Sequence, residues 1–197
     1  IQGQKWHDLN NDGIKQPAEP GLEGWTVFLD ENRNGFLDTT LFNNFYAFDV
    51  PQSILDNSTI YSAVGVSGLG SILDVNVTLD ITHTYVGDLE AYLISPSGTR
   101  IELMTFVGGG GQDFSGTTFD DEAETTITLG IAPFAGSFQP EGLLAGFDGQ
   151  DPNGVWLLEV SDRASLDEGT LNGWSLNLET VGEASTVTDV DGYYSFN

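Results

Sequence analysis

The clearest pattern in the chain is a strict alternation of apolar and polar residues over positions 73–81. Leu73, Val75, Val77, Leu79 and Ile81 share one side, and the residues between them are polar. A period of two is typical of a β-strand with one buried face. Similar short runs predict further strands at residues 24–29, 60–66, 89–94, 101–106, 125–129, 155–160 and 174–178.

Residues with turn chemistry separate these runs. The breaks fall at Ser97-Gly98, residues 108–111, Asp148-Gly149, Asn153-Gly154 and Asn172-Gly173. Many short strands with regular breaks predict an all-β fold, either an antiparallel β-sandwich or a jelly roll. No segment predicts a helix longer than one or two turns.

A twelve-residue stretch near the start, residues 8–19, has the spacing of a calcium-binding loop. Its template places oxygen ligands at positions 1, 3 and 5, glycine at position 6 and glutamate at position 12. The predicted ligands are Asp8, Asn10, Asp12, the carbonyl of Ile14, and Glu19. A solvated acidic turn would explain the acids alone, but not Gly13 together with Glu19. The strand-like run after the loop, with Pro17 and Pro20 before it, predicts a β scaffold rather than flanking helices.

Residues 30–38 repeat the first half of this spacing. The predicted ligands are Asp30, Asn32, Asn34, the carbonyl of Phe36, and Asp38. Position 12 of this second loop is Leu41, which has no ligating side chain. The loop is therefore incomplete unless an acid from elsewhere closes it, and the acidic turn at Asp189 and Asp191 supplies the candidates.

A third acidic cluster lies in the middle of the chain, between a glycine run and a predicted strand. Its members are Asp113, Asp120, Asp121, Glu122 and Glu124. Like charges this close cost energy unless a cation intervenes. We therefore predict a further calcium site, shared with Asp162 or Asp167, and the alternative is a solvated acidic loop. Asp56 and Asp88 are weaker candidates.

The charge balance excludes several partners. Thirty acids against five bases give a formal net charge of −25. Such a surface repels nucleic acid and anionic membranes, and no apolar run reaches membrane-spanning length. Self-repulsion of this size favours bound divalent cations. The absence of cysteine is compatible with a reducing compartment, but in a calcium-loaded chain it favours a secreted or cell-surface protein that uses calcium where others use disulfides.

Catalytic signatures are missing from the sequence. Serine-protease chemistry needs a histidine base, and the two histidines, His7 and His83, have better structural roles beside the first loop and at a strand end. There is no G-x-S-x-G or H-E-x-x-H motif, and no carboxylate pair is singled out for glycoside hydrolysis. We expect no intrinsic enzyme activity.

Two parts of the chain resemble known families. The segments at residues 4–8 (Gln-Lys-Trp-His-Asp), 19–27 (Glu-Pro-Gly-Leu-Glu-Gly-Trp-Thr-Val) and 188–196 (Thr-Asp-Val-Asp-Gly-Tyr-Tyr-Ser-Phe) resemble the two halves of the SdrD B-like repeat of bacterial surface proteins. The halves are contiguous in that family and form a small calcium-binding β-sandwich. Here about 130 residues separate them, so the resemblance implies one domain inserted into another.

The middle of the chain resembles the P domain of proprotein convertases and bacterial subtilases. The matching blocks are residues 82–89 (Thr-His-Thr-Tyr-Val-Gly-Asp-Leu), 93–99 (Leu-Ile-Ser-Pro-Ser-Gly-Thr), 117–123 (Thr-Thr-Phe-Asp-Asp-Glu-Ala), 154–158 (Gly-Val-Trp-Leu-Leu) and 169–176 (Gly-Thr-Leu-Asn-Gly-Trp-Ser-Leu). The resemblance implies a jelly-roll β-sandwich that packs beside a protease domain and has no catalytic residues of its own.

The sequence thus predicts two nested β-sandwiches: a P-domain-like jelly roll from residues 51–181, within a smaller prealbumin- or Ig-like sandwich from residues 1–50 and 182–197. We expect a calcium-stabilised, non-catalytic accessory module, cut from a longer secreted or surface protein, that contacts neighbouring domains. The alternative is a module that binds extracellular protein or polysaccharide for an attached protease or other hydrolase.

Overall fold

The computed structural model of the chain describes residues 1–30 and 33–196. The chain forms two compact units, one from residues 1–40 and 182–197 and the other from residues 41–181. The first boundary falls at residue 40 rather than at the predicted residue 50. The reason is that the strand beginning at Thr40 pairs within a sheet of the larger unit.

Strands and short 3-10 turns make up the regular structure of the described residues. The strands are β1 (Gln2–Gln4), β2 (Thr26–Phe28), β3 (Thr40–Tyr46), β4 (Gln52–Ile54), β5 (Thr59–Val66), β6 (Ile72–His83), β7 (Leu89–Ile94), β8 (Arg100–Thr105), β9 (Phe114–Phe119), β10 (Phe134–Phe138), β11 (Gly154–Asp162), β12 (Gly169–Val181), β13 (Ser185–Val187) and β14 (Tyr193–Ser195). The 3-10 turns are Val86–Asp88, Ile127–Leu129 and Leu144–Phe147.

Two sheets build the larger unit. One has the order β10-β9-β6-β12-β3, with β4 also pairing with β12, and the other has the order β5-β11-β7-β8. Strands β6 and β12 form the longest antiparallel ladder, whereas β9 and β10 run parallel. Alternate residues of both sheets, such as Val77, Leu93 and Trp156, are fully buried in one apolar core. The predicted all-β sandwich is confirmed.

Two details of the strand predictions are wrong. Leu73 was expected to face the core but is 43% exposed, and Ile72 is buried instead. The register shifts at this end of the β6–β12 ladder, so the alternation starts one residue earlier. The predicted strand at residues 125–129 is a 3-10 turn, which a single parallel bridge from Thr126 to Gln139 precedes.

The smaller unit contains two two-stranded sheets, β1 with β14 and β2 with β13. Its described part, residues 1–30, 33–40 and 182–196, buries no hydrophobic side chain. The side chains that it does bury are polar: Glu19, Glu183 and Thr188 are 4%, 8% and 3% exposed. An apolar core therefore does not explain the stability of this unit.

Candidate metal centres

The first predicted calcium loop, residues 8–19, is closed by backbone pairing on both sides. The His7 N–H donates to the Pro20 carbonyl at 3.0 Å, and the Leu22 N–H donates to the Lys5 carbonyl at 3.0 Å. A bridge between Trp6 and Gly21 lies between these bonds. The prediction that a β scaffold carries this loop is confirmed.

Within this loop the predicted ligand side chains turn inward toward the loop backbone. The two Asp8 carboxylate oxygens accept from the N–H groups of Asp12 at 3.2 Å and Gly13 at 2.8 Å. Asp12 Oδ1 accepts from the Ile14 N–H at 2.8 Å, which lowers the pKa of the Asp12 carboxyl. Asn10 Oδ1 accepts from the Asp12 N–H at 3.1 Å. Gly13 has φ +76°, a left-handed conformation that most side chains disfavour.

Glu19 completes the first loop from position 12. One carboxylate oxygen accepts from the Leu9 N–H and the other from the Gln16 N–H, both at 2.9 Å. The nearby Lys15 ammonium contacts the carbonyls of Gln16 and Glu19 instead of the carboxylate. In the described part of the chain, none of the ion pairs includes Glu19. A buried carboxylate without a cationic partner fits the hard-oxygen donor set of a calcium site.

The second loop repeats the hydrogen bonds of the first. Asp30 accepts from the Asn34 N–H at 3.0 Å and from the Gly35 N–H at 2.9 Å. Asn34 Oδ1 accepts from the Phe36 N–H at 2.7 Å. These are the same position pairs, 1 with 5, 1 with 6 and 5 with 7, that Asp8 and Asp12 join in the first loop. The predicted ligand Asn32 lies outside the described residues.

Glu183 takes the place of the missing position-12 acid. It follows the larger unit directly in sequence, and its Oε2 accepts from the Asp38 N–H at 3.3 Å. The Glu183 N–H in turn donates to the Asp38 carbonyl at 2.8 Å. Asp38 is position 9 of its loop, and Gln16, which donates to Glu19 Oε2, is position 9 of the first loop. Glu183 is therefore the counterpart of Glu19, although it lies 145 residues beyond Asp38.

Asp189 and Asp191 are the acids predicted to close the second loop, and Asp189 has a local role. Asp189 Oδ1 accepts from the N–H groups of Asp191 at 2.9 Å and Tyr193 at 2.8 Å, which stabilises the turn before β14. Glu183 itself was missed by the sequence reasoning. The available signal was an acid beside Gly182, where the chain leaves the larger unit.

The acids of the middle cluster lie at two ends of strand β6. At the His83 end, Asp113 Oδ1 accepts from the His83 N–H at 2.9 Å, and the His83 ring donates from Nε2 to Asp162 Oδ2 at 3.1 Å. Both side chains of the His83–Asp162 pair are fully buried. Asp167 Oδ1 accepts from the Thr84 hydroxyl at 2.7 Å.

Two further acids lie at the same end of β6. Burial raises the pKa of Asp88, and the charges of Asp162 and Asp167 raise it further. Asp56 Oδ2 accepts from the Leu166 N–H at 3.0 Å, while its Oδ1 is buried without a hydrogen-bond partner in the described structure. These weaker sequence candidates therefore lie beside the predicted ligands Asp162 and Asp167.

Asp120 and Asp121 lie toward the other end of β6. Phe119, just before them, pairs with Val77 of β6. Val77 is six residues from His83, a separation of about 20 Å along a strand. Asp121 accepts from the N–H groups of Leu144 and Ala145 at 3.0 and 2.8 Å and so caps a 3-10 turn. The predicted sharing of one ion between Asp120, Asp121 and Asp162 or Asp167 is therefore wrong, because these residues are too far apart.

Among the described residues, no three His, Cys, Asp or Glu side chains form a group that could hold a metal ion. This includes the acids of the two loops, so the calcium sites predicted there stay a prediction. No helix in residues 1–30 or 33–196 is long and apolar enough to span a membrane.

Comparison with known proteins identifies relatives of the larger unit. The family model of the proprotein convertase P-domain matches residues 72–178, more than half of the chain. A calcium-dependent protease of Trichormus variabilis is 30% identical over 132 residues, which cover 66% of this chain and 17% of that protein. Leupeptin-inactivating enzyme 1 of Streptomyces exfoliatus is 28% identical over 137 residues, covering 68% of this chain and 25% of that enzyme.

A solved structure supports the same fold. The serine protease of Aeromonas sobria, in complex with its chaperone, matches 74% of this chain and 28% of its own with a TM-score of 0.51. At 20% identity this likeness concerns the fold alone. The matched segment spans 17% and 25% of the length of the two sequence relatives and 28% of the solved protease chain.

Proposed function

Because the chain belongs to the proprotein convertase P-domain family, we propose that it is a non-catalytic accessory module of a larger protease-associated protein. Two relatives support this proposal, since a calcium-dependent protease and a leupeptin-inactivating enzyme carry the matching segment as a minor part of their length. We also propose that the parent protein is secreted or lies at the cell surface. Its neighbouring domains are then the first partners of the module.

The second part of the proposal is that calcium stabilises the smaller unit. The supporting observation is the burial in that unit, where polar residues, including the loop-closing glutamates Glu19 and Glu183, replace an apolar core. A unit of this size, without disulfides, needs another source of stability. The buried carboxylate of Glu19, which is part of none of the ion pairs among the described residues, would oppose folding unless a cation compensated its charge.

The proposed sites use the oxygens of the two loops. The first calcium would be held by Asp8, Asn10, Asp12, Glu19 and the Ile14 carbonyl. The second would be held by Asp30, Asn32, Asn34, Asp38, Glu183 and the Phe36 carbonyl. Bound calcium supplies positive charge that only the folded loops can gather, and so favours the folded state by about 2.7 kcal/mol per site at a hundred times the dissociation constant.

We further propose that the smaller unit is an SdrD B-like domain. The repeated loop geometry at Asp8 and Asp30 supports this, as does the antiparallel pairing of both chain ends in β1 with β14. In this interpretation the P-domain unit is inserted after the second loop, and the acid that closes this loop comes from beyond the insertion.

The test is calcium binding and thermal stability of the whole chain. We expect a higher melting temperature in millimolar calcium than in EDTA. Glu19→Gln and Glu183→Gln should each remove one calcium from the stoichiometry in titration calorimetry, and each should reduce the calcium-induced gain. Both substitutions keep the side-chain shape and remove the charge that the cation is proposed to bind.

Glu23→Gln is the matched control, because Glu23 is an exposed glutamate of the same unit. It should bind and melt like the wild type. Identical melting in calcium and EDTA, or unchanged stoichiometry in both loop variants, would refute the calcium part of the proposal and leave the family assignment untouched.

A further inference from the structure

Strand β3 forms one edge of the larger sheet. It pairs with β12 on one side, and no further strand of the described residues follows it on the other side. An edge strand of this kind presents backbone N–H and C=O groups to which another strand can pair. The inward side chain Phe45 packs against the apolar core and so holds β3 in place.

The sequence of β3 lacks the features that protect an edge strand from pairing. Residues 39–48 (Thr-Thr-Leu-Phe-Asn-Asn-Phe-Tyr-Ala-Phe) contain no charged residue, no proline and no glycine. Edge strands that stay single typically carry charges, proline or a bulge. The opposite edge strand of the same sheet, β10, has a register shift at Gly136, and the edge strand β8 of the other sheet carries Arg100 and Glu102. Strand β3 therefore differs from both of these edges.

The outward side chains of β3 form an exposed aromatic stripe. Phe42 is 76% exposed and Tyr46 is 59% exposed, and the exposed Asn44 lies between them on the same face. Phe48, just beyond the end of the strand, is 95% exposed. Aromatic side chains are enriched at protein interfaces, where they bury a large apolar area. The open edge and the stripe beside it therefore suit a protein strand better than solvent.

The charge of the chain limits where a second copy can approach. Two chains of net charge −25 repel each other, but at physiological ionic strength charges more than about 8 Å apart are largely screened. Contact therefore depends on the charges that face each other, and residues 39–48 carry none. The next acid along the chain, Asp49, accepts from the Ser62 hydroxyl and from the Ala63 N–H at 3.0 Å, so its carboxylate is directed toward β5.

We propose that β3 pairs antiparallel with β3 of a second copy of this chain, with Asn44 opposite Asn44 of that copy. Phe42 then lies opposite Tyr46 of the second copy, and the symmetric pair forms on the other side of Asn44, so both aromatic pairs stabilise the contact. The same register places Asp49 opposite Thr39, so no acid faces it. Because the same strand is used by both copies, the contact closes as a two-fold dimer. It does not depend on calcium binding by the two loops.

Sedimentation equilibrium of the full chain tests this dimer. The mass of the wild type should rise with protein concentration toward twice the 21.2 kDa of the single chain. Asn44→Lys should keep the single-chain mass at concentrations at which the wild type is dimeric, because it places two like charges directly opposite each other. Ser137→Lys is the matched control, since Ser137 is exposed on the other edge strand, β10, and the variant has the same net charge. It should associate like the wild type.

Amide hydrogen exchange locates the contact. Every second amide of β3, on the open side of the strand, should exchange more slowly in concentrated wild-type protein than after dilution, and in Asn44→Lys the exchange rate should not depend on concentration. Added salt should strengthen the dimer, because it screens the repulsion between the two chains. A single-chain mass at millimolar protein concentration would assign the open edge to a different partner and overturn the proposal. Equal dissociation of the two lysine variants, or β3 amides that do not respond to dilution, would also overturn it.

Discussion

Replacement of Asp162 by alanine tests whether this residue is structural or a metal ligand. Its Oδ2 accepts from His83 Nε2, and its Oδ1 accepts from the Ala164 N–H at 2.8 Å. Both side chains of the His83–Asp162 pair are fully buried. The sequence alone suggested a calcium role for Asp162, whereas these contacts indicate that it holds the end of β6 against the end of β11.

The expected cost follows from the groups left behind. Asp162→Ala leaves the His83 Nε2–H and the Ala164 N–H without acceptors, at about 1–3 kcal/mol each. Removing one partner of a buried ion pair typically costs about 3–5 kcal/mol in total. For a protein of this size, 1 kcal/mol shifts the melting temperature by about 2–4 °C. We therefore expect a loss of about 10 °C.

Urea unfolding followed by the fluorescence of the buried Trp156 and Trp174 measures this loss in the larger unit. The matched control is Asp167→Ala, which removes a hydrogen bond from the Thr84 hydroxyl in an exposed position and should cost less than about 1 kcal/mol. The loss for Asp162→Ala should be the same in calcium and in EDTA. A loss below 1 kcal/mol, or one seen only in calcium, would refute the structural role.

Two other substitutions test the packing of each unit. Gly21→Ala should destabilise the smaller unit and weaken calcium binding by the first loop, because the new Cβ would lie 2.0 Å from the Asp191 carbonyl oxygen. Gly65→Ala is the control, because nothing lies within 4 Å of its new Cβ. Equal melting temperatures of the two variants would contradict the expected clash at Gly21. Arg100→Lys should lower the free energy of unfolding in urea by about 1 kcal/mol, since Arg100 donates to both Glu159 oxygens at 3.0 and 2.9 Å. An unchanged free energy of unfolding at low salt would show that the paired geometry contributes nothing.

The fold could be predicted well where burial enforces alternation. Strand β6 was found from its period of two, and its inward residues Val75, Val77, Leu79 and Ile81 are fully or almost fully buried. Strand β9 was missed because its sequence, Phe-Ser-Gly-Thr-Thr-Phe, contains a glycine with φ +61° where the register shifts. A shift of this kind breaks the pattern that sequence reasoning depends on.

The candidate sites, too, could be predicted only where the sequence signal is local. Local spacing placed Asp8, Asn10, Asp12 and Glu19 in one loop, because all its ligands lie within twelve residues. Contacts between distant segments could not be predicted, since no sequence signal related Asp38 to Glu183. This pair depends on the return of the chain, which only the folded structure defines.

In the proposed arrangement, the acid that closes the second loop lies 145 residues beyond Asp38. Closing a flexible segment of this length would cost about 2 kcal/mol more than closing a twelve-residue loop. The larger unit removes most of this cost, because β3, where the chain enters, and β12, where it leaves, are neighbours in one sheet. The Gly182 N–H then donates to the Thr39 carbonyl at 3.1 Å, so Glu183 arrives beside Asp38. Under the proposed function, a cation bound by the second loop would stabilise this return of the chain as well as the loop.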